Sequence, residues 1–396
     1  ARLNSGATGR SVRRVRRRDQ GEAEVAFASE IIPAGEYVVK AQALREDVVL
    51  GEGRRALHKL RPQPSEIILD HEGRLLVNGQ RFFPWGFMGA APDPRLQQAG
   101  FNTIHTYTAW YTHRDGDLKA WLDEADAMGL KVILYPYPGE VGFHGFRDRA
   151  EITQQDLDDI REFVDTYKGH PAVLAWYLCD EPRGAKWRES IRRVYEMLVQ
   201  ADPCHPCVAL DNGAATLLKL QRAADILWID PYPGFARGGG PREPLGMVQQ
   251  AVADVREGLS SHKPVWVAPQ AFSYAEWDKA REATEREPNL VEIRCMNYLA
   301  LLGGADGIIP FAWAYTQRHP ATLNTYRENL GPEMTALMHY FLQGKRLEGC
   351  RGEGIGGEAD VQVGAWTHED NYCVIAVNRS DKPARARVRV PGLGNR

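Results

Sequence analysis

The chain has 396 residues, 43% of them hydrophobic, with a formal net charge of −3. That length exceeds one small domain, the apolar fraction excludes wholesale disorder, and the charge gives no global electrostatic case for a nucleic-acid partner. No apolar stretch reaches the roughly 18 residues of a membrane span, so no membrane partner is expected, and the polar opening Ala1 to Arg10 shows no signal-peptide core.

The basic run from Arg10 to Arg18 has no interleaved aromatics. It reads as a solvated segment with Val12 and Val15 turned inward, since single-strand binders stack bases on rings. From 20 to 60 short alternating stretches, such as Glu36-Tyr37-Val38-Val39-Lys40-Ala41, flank the turn signal Pro33-Ala34-Gly35. They predict a small β-sandwich over 1–62.

Between 63 and 345 eight short apolar runs recur: Phe82 to Phe87, Phe101 to Tyr107, Lys131 to Pro136, Ala172 to Leu178, Cys207 to Asp211, Ile226 to Asp230, Pro264 to Ala268 and Gly307 to Trp313. A parallel strand buried on both faces reads as such a run. Amphipathic helical patterns separate several of them, as in Leu118, Trp121, Leu122, Ala125 and Met128, or Leu157, Ile160, Val164 and Tyr167. The alternation predicts an α/β fold, a closed (β/α)₈ TIM barrel. An open doubly wound sheet would want a glycine-rich phosphate turn after its first strand, and Gly86-Phe87-Met88-Gly89 is not one. From 346 to 396 glycines give way to strand patterns, among them the alternating Ala384 to Val390. This reads as the start of a C-terminal β domain, cut short at Arg396.

The fourth run ends in Asp180-Glu181-Pro182. Proline carries no N–H, so the two carboxylates close a buried strand at the end where barrels place their chemistry. The other strand ends add His105, Tyr107, Tyr135, Tyr137, Asn212, Asp230, Tyr232, Gln270 and Trp313. Aromatic rings with amides and carboxylates suit a sugar, whose apolar faces stack on rings. No metal-ligand spacing and no phosphate loop appears, so no metal and no cofactor is expected. Cys204-His205-Pro206-Cys207 lacks the strand-to-helix context of a redox motif and a second pair for zinc.

Several stretches resemble the clan A glycoside hydrolases, the group of β-galactosidases, β-glucuronidases and cellulase-like enzymes. Leu75 to Gly86 is similar to their barrel entry, Ala99 to Ile104 to their second strand, and Gly169 to Pro182 to their fourth. Asp202 to Pro206, Asp230 to Pro233 and Gly304 to Ile308 with Trp313 are similar to their fifth, sixth and eighth. The resemblance implies Glu181 as general acid/base, an oligo- or polysaccharide as partner, and a secreted or periplasmic setting. It also implies an asparagine where Asp180 stands and a nucleophilic glutamate where Gln270 stands. A glutamine cannot attack an anomeric carbon.

The expected function is hydrolysis of a β-linked oligo- or polysaccharide. Glu181 is the acid, its proton held by an apolar surround. The second carboxyl is Glu276, on the loop after the seventh strand, or Asp230. Glu292 instead completes a capping box with Asn289. Trp313 is the expected sugar platform, and Asp180, His105, Tyr107, Tyr135, Tyr137, Asn212, Tyr232 and Gln270 are the expected binding residues. The rival reading is a carbohydrate-binding barrel that has lost hydrolysis.

Overall fold

The computed structural model describes residues 2–3, 15–18, 22–25, 33–45, 48–59, 66–70, 72–107, 118–138, 151–355, 360–380 and 382–393. The chain divides into two compact units, Ala1–Pro64 and Ser65–Arg396. In the first, Gly35–Arg45 pairs antiparallel with Arg2–Leu3 on one side and Val48–Lys59 on the other. Val15–Arg18 pairs with Glu22–Val25 as a separate ribbon. The basic run, expected to be a solvated segment, thus contributes a strand. Its register sets Arg16 opposite Glu24 and Arg18 opposite Glu22.

The second unit opens with an antiparallel meander, Ile67–Leu69, Leu75–Val77 and Gln80–Arg81. Eight parallel strands follow: β1 (Gly86–Met88), β2 (Thr103–His105), β3 (Lys131–Leu134), β4 (Val173–Asp180), β5 (Cys207–Asp211), β6 (Ile226–Ile229), β7 (Val265–Val267) and β8 (Gly307–Ile308). Each pairs with its neighbour in sequence. A parallel bridge from Trp85 to Ile308, with the Met88 N–H donating to Pro310 O at 3.0 Å and the Ile308 N–H to Pro84 O at 2.8 Å, closes them into a (β/α)₈ barrel. All eight runs read from the sequence overlap a strand.

The helices cover the outside with the faces their spacing predicts. Gln154–Tyr167 buries Leu157, Ile160 and Val164, and a capping box of Thr153 with Asp156 starts it. Leu290–Gly303 starts on the Asn289–Glu292 capping box and ends at Gly304, whose φ of 94° suits a residue without a Cβ. Among the described residues no helix is long and apolar enough to cross a membrane.

The eighth apolar run departs from its expected form. The strand stops at Ile308, and Trp313–Thr316 is a short helix. Pro310, lacking an N–H, interrupts the ladder. Beyond the barrel, Lys345–Leu347, Val361–His368 and Asn371–Asn378 form one sheet, and Arg351–Gly354 pairs with Ala386–Arg389. Trp366 packs on Phe341 at 5.2 Å, and Cys373, Ile375 and Val377 join the barrel's own apolar core.

Inside the barrel the even strands supply one layer. His105 of β2, Tyr177 of β4 and Trp228 of β6 meet edge to face, at 4.3 Å from His105 to Tyr177, 5.3 Å from His105 to Trp228 and 5.8 Å from Tyr177 to Trp228. Alternate strands fill such layers because successive side chains of a strand point to opposite faces.

Candidate active site

The carboxyl end of β4 holds two adjacent carboxyl side chains, Asp180 and Glu181. The Glu181 N–H still donates to Leu210 O at 3.0 Å, yet its φ is +43°. For an L-residue with a side chain that conformation costs about 1–2 kcal/mol. An extended chain would send Asp180 and Glu181 to opposite faces. The left-handed turn lets both reach the mouth. Burial pushes the Tyr107 phenol up, and the charges of Asp180, Glu181 and Asp230 push it further, Asp180 also through a hydrogen bond. One tyrosine therefore senses all three carboxyls.

Asp230, just past β6, is buried. Loss of water raises its pKa well above the usual carboxylate range, and the nearby Asp180, Glu181 and Asp211 charges raise it further, against a hydrogen bond from Tyr232. Its Oδ1 makes no hydrogen bond. A protonated Asp230 could donate a hydrogen bond, which a carboxylate cannot. Asp211 is occupied by the Gly213 N–H at 3.0 Å and the Thr216 hydroxyl.

Gln270, past β7, is fully buried and used at both ends. Its Oε1 accepts from the Gly234 N–H at 2.8 Å, and its Nε2 donates to Phe272 O at 2.9 Å. A carboxylate there could accept from Gly234 but could not donate to Phe272. Gln270 pins the loop after β6 to the start of the loop after β7.

Glu276 is also occupied. Its side chain, 10% exposed, pairs with Arg318 at 2.9 Å and with His319 Nε2. The opposite ring nitrogen, Nδ1, meets Glu287 at 3.1 Å. The ligand atoms of Glu276, Glu287 and His319 lie within 4.8 Å of one another, a spacing that would admit a cation. The two carboxylates, however, engage different nitrogens of the ring, so the three do not converge on one point. The arrangement is an ionic clamp joining the loops after β7 and β8.

Trp313 is 1% exposed, packs on Phe87 at 5.1 Å and donates its Nε1–H to Asp93 at 3.2 Å. It has no face to offer a sugar, because the chain turns into a helix there. His105, Tyr135 and Tyr137 are buried too. Burial lowers the pKa of His105 to about 3, so it stays neutral in the interior layer. The Tyr137 hydroxyl donates to Leu178 O at 2.8 Å, and Tyr135 packs on Tyr137 at 4.6 Å. These four aromatic side chains are barrel core rather than rim. Those that remain accessible are Tyr107, Asp180, Glu181, Asn212 and Tyr232.

Sequence reasoning missed Tyr274 and Trp277. Tyr274 is raised by burial first and then by Asp230, with Glu181 also contributing, so it belongs to the mouth. Trp277 is 51% exposed. The signal was the aromatic density of Phe272 to Trp277 in a loop, where packing alone does not ask for rings. A cavity of about 380 Å³ lies at the other end of the barrel, among Arg74, Arg256, Arg346 and Trp366. There Arg256 and Arg346 hold the carbonyls of Gly304 and Leu302 at the end of the helix Leu290–Gly303.

Residues 103–232 match the family model described as glycosyl hydrolases family 2, TIM barrel domain. Among solved structures the chain is similar to a β-D-glucuronidase of Dictyoglomus thermophilum, with 18% identity, 70% of this chain and 51% of that chain covered, and a TM-score of 0.44. It is similar to a family 2 β-galacturonidase of Eisenbergiella tayi bound to galacturonate, at 16%, 74%, 58% and 0.45. It is also similar to a family 5 glycoside hydrolase of Bacteroides vulgatus, at 15%, 62%, 61% and 0.48. The chain spans between half and two thirds of the length of these proteins.

Proposed function

We propose that this chain is a glycoside hydrolase acting on a β-linked oligo- or polysaccharide, with Glu181 as general acid/base. The observation that carries the reading is the left-handed backbone at Glu181, which brings two adjacent carboxyls into one aromatic mouth above the buried Asp230. Strained backbone at a strand end is a common mark of a working site. The family matched over residues 103–232, one of glycosyl hydrolases, supports the same reaction class.

Glu181 gives its proton to the bridging oxygen as the bond from that oxygen to the anomeric carbon breaks. Asp180 accepts from Tyr107 and adds negative charge near the developing oxocarbenium ion. Neutral Asp230 supplies a donor at the floor, the role for which Asp180 has no hydrogen when ionised. With Asp230 neutral and Glu276 held by Arg318 and His319, Asp180 is left as the second reacting carboxyl. A separation near 5 Å gives retention, and a wider one with an intervening water gives inversion. Following the anomer of the first product by NMR assigns the route.

The test is Glu181→Gln assayed on a panel of β-linked oligosaccharides. Turnover falls by about 10²- to 10⁴-fold while sugar binding and folding persist. An active wild type with an equally active variant removes Glu181 from the mechanism. The doubly hydrogen-bonded Gln270 favours a second reading, a carbohydrate-binding barrel without hydrolysis. A wild type that binds glycans and cleaves none of the panel supports that one.

A further inference from the structure

We propose that Trp277 is the stacking platform for the leaving-group side of the substrate, the sugar ring that leads out of the mouth. This rests on the hydrolase reading and names the residue that would make the site prefer an oligosaccharide over a monosaccharide derivative.

Single exposed aromatics are ordinary on protein surfaces. Three features set this one apart. The first is exposure in the right place. Among the described residues Trp277 is the one tryptophan more than a third exposed, and it lies in the loop after β7, on the face where barrels bind ligands. The second is continuity with the carboxyls. Trp277 lies 6.4 Å from Phe311, which lies 4.8 Å from Tyr107, the hydrogen-bond partner of Asp180. Trp277 also meets Tyr274 at 5.5 Å, and Tyr274 senses Asp230 and Glu181. The path from the carboxyls to the indole is therefore lined by rings, and its two ring spacings compare with the length of a short oligosaccharide.

The third feature is support. Phe272 backs the indole at 4.6 Å with only 39° between planes, and Tyr315 packs at 5.6 Å. Ser273 caps the short helix Tyr274–Glu276, and the adjacent Glu276 is clamped to Arg318 and His319. A platform held by packing and ion pairs before the ligand arrives loses little freedom on binding.

The direction follows from the shape of the mouth. Its floor is closed by the His105–Tyr177–Trp228 layer and Asp230. The ring whose anomeric carbon reacts sits on that floor, so rings leading outward belong to the leaving group. An indole face takes the apolar C–H face of a pyranose.

Trp277→Ala and Trp277→Phe test this, using β-linked cello-, xylo-, manno- and galacto-tetraoses and the matching β-glycosyl fluorides. The fluoride leaving group has no ring to stack. The ratio of kcat/KM on the cleaved tetraose to kcat/KM on its fluoride falls by about tenfold in Trp277→Ala, mainly through KM, and Trp277→Phe recovers part of it. An unchanged ratio overturns the proposal, whether both rates hold or both fall together. If the wild type cleaves none of these probes, titration of indole fluorescence with the four tetraoses separates the two readings. Binding weakened about tenfold in Trp277→Ala keeps the platform and sinks the hydrolase. Equal binding, or none, sinks the platform.

Discussion

The ends of β4 and β7 occupy equivalent places in one barrel and are built in opposite ways. At β4 the chain accepts a left-handed glutamate and leaves two carboxyls partly open to the mouth. At β7 it buries a glutamine and satisfies it from both ends with backbone groups. The first arrangement is strained, charged and accessible, and the second is relaxed, neutral and closed. Chemistry needs groups that a substrate can still reach, whereas a hinge point between loops needs every partner in place already. Under the proposed function the working side of the mouth is at β4 and β6, and Gln270 makes β7 a brace for the loop that carries Trp277.

The largest expected effect on this contrast is at the brace. Gln270→Ala strands the Gly234 N–H and the Phe272 carbonyl and opens a cavity, so urea unfolding should show a loss of about 3 kcal/mol. Gln270→Glu should also destabilise, because its carboxylate cannot donate to Phe272, and should not raise turnover. A gain of several orders of magnitude in Gln270→Glu would break the comparison and return β7 to the chemistry.

Next in size is the proton on Asp230. Its folded pKa lies above the unfolded value of roughly 3.9, so the folded state holds more protons between the two. Stability should therefore be fully present at acid pH and fall as pH climbs through the raised folded value. Asp230→Asn mimics the neutral form and should escape that fall. The melting temperature of wild type relative to the variant should drop between pH 5 and pH 8, and a constant gap would mean that Asp230 is ionised throughout. The smallest effect is at the strained residue. Glu181→Gly relieves the positive φ and should gain up to about 1 kcal/mol of stability while losing turnover. A destabilised Glu181→Gly would show that the turn is held by the side chain and is not strain kept for function.

Much of this architecture is legible in the residue order. Every barrel strand overlaps an apolar run, because both faces of a parallel strand are covered. The Asn289–Glu292 box could be read directly, since capping is local. The side-chain destinations were not legible. Tyr135, Tyr137 and Tyr107 look alike in sequence, yet the first two are buried and the third bonds Asp180. Trp313 follows an apolar run without a break in character, but Pro310 interrupts the ladder, and past the Gln270–Phe311 bridge a short helix carries the indole under Asp93. A non-glycine residue with positive φ leaves no composition signal, because surrounding structure imposes it.

The barrel seam between Trp85 and Ile308 has a consequence for how the chain finds its shape. All seven other strand pairs join sequence neighbours, so each closes a modest loop. The seam alone joins the two ends of the sheet, and it holds by one bridge and a few flanking hydrogen bonds. Its long loop must be closed before any of its contacts reward the chain, which makes it the last pairing to form. Until then the molecule is an open, right-twisted ribbon with two bare edges. The speed of that final closure sets how long those edges are offered to other chains.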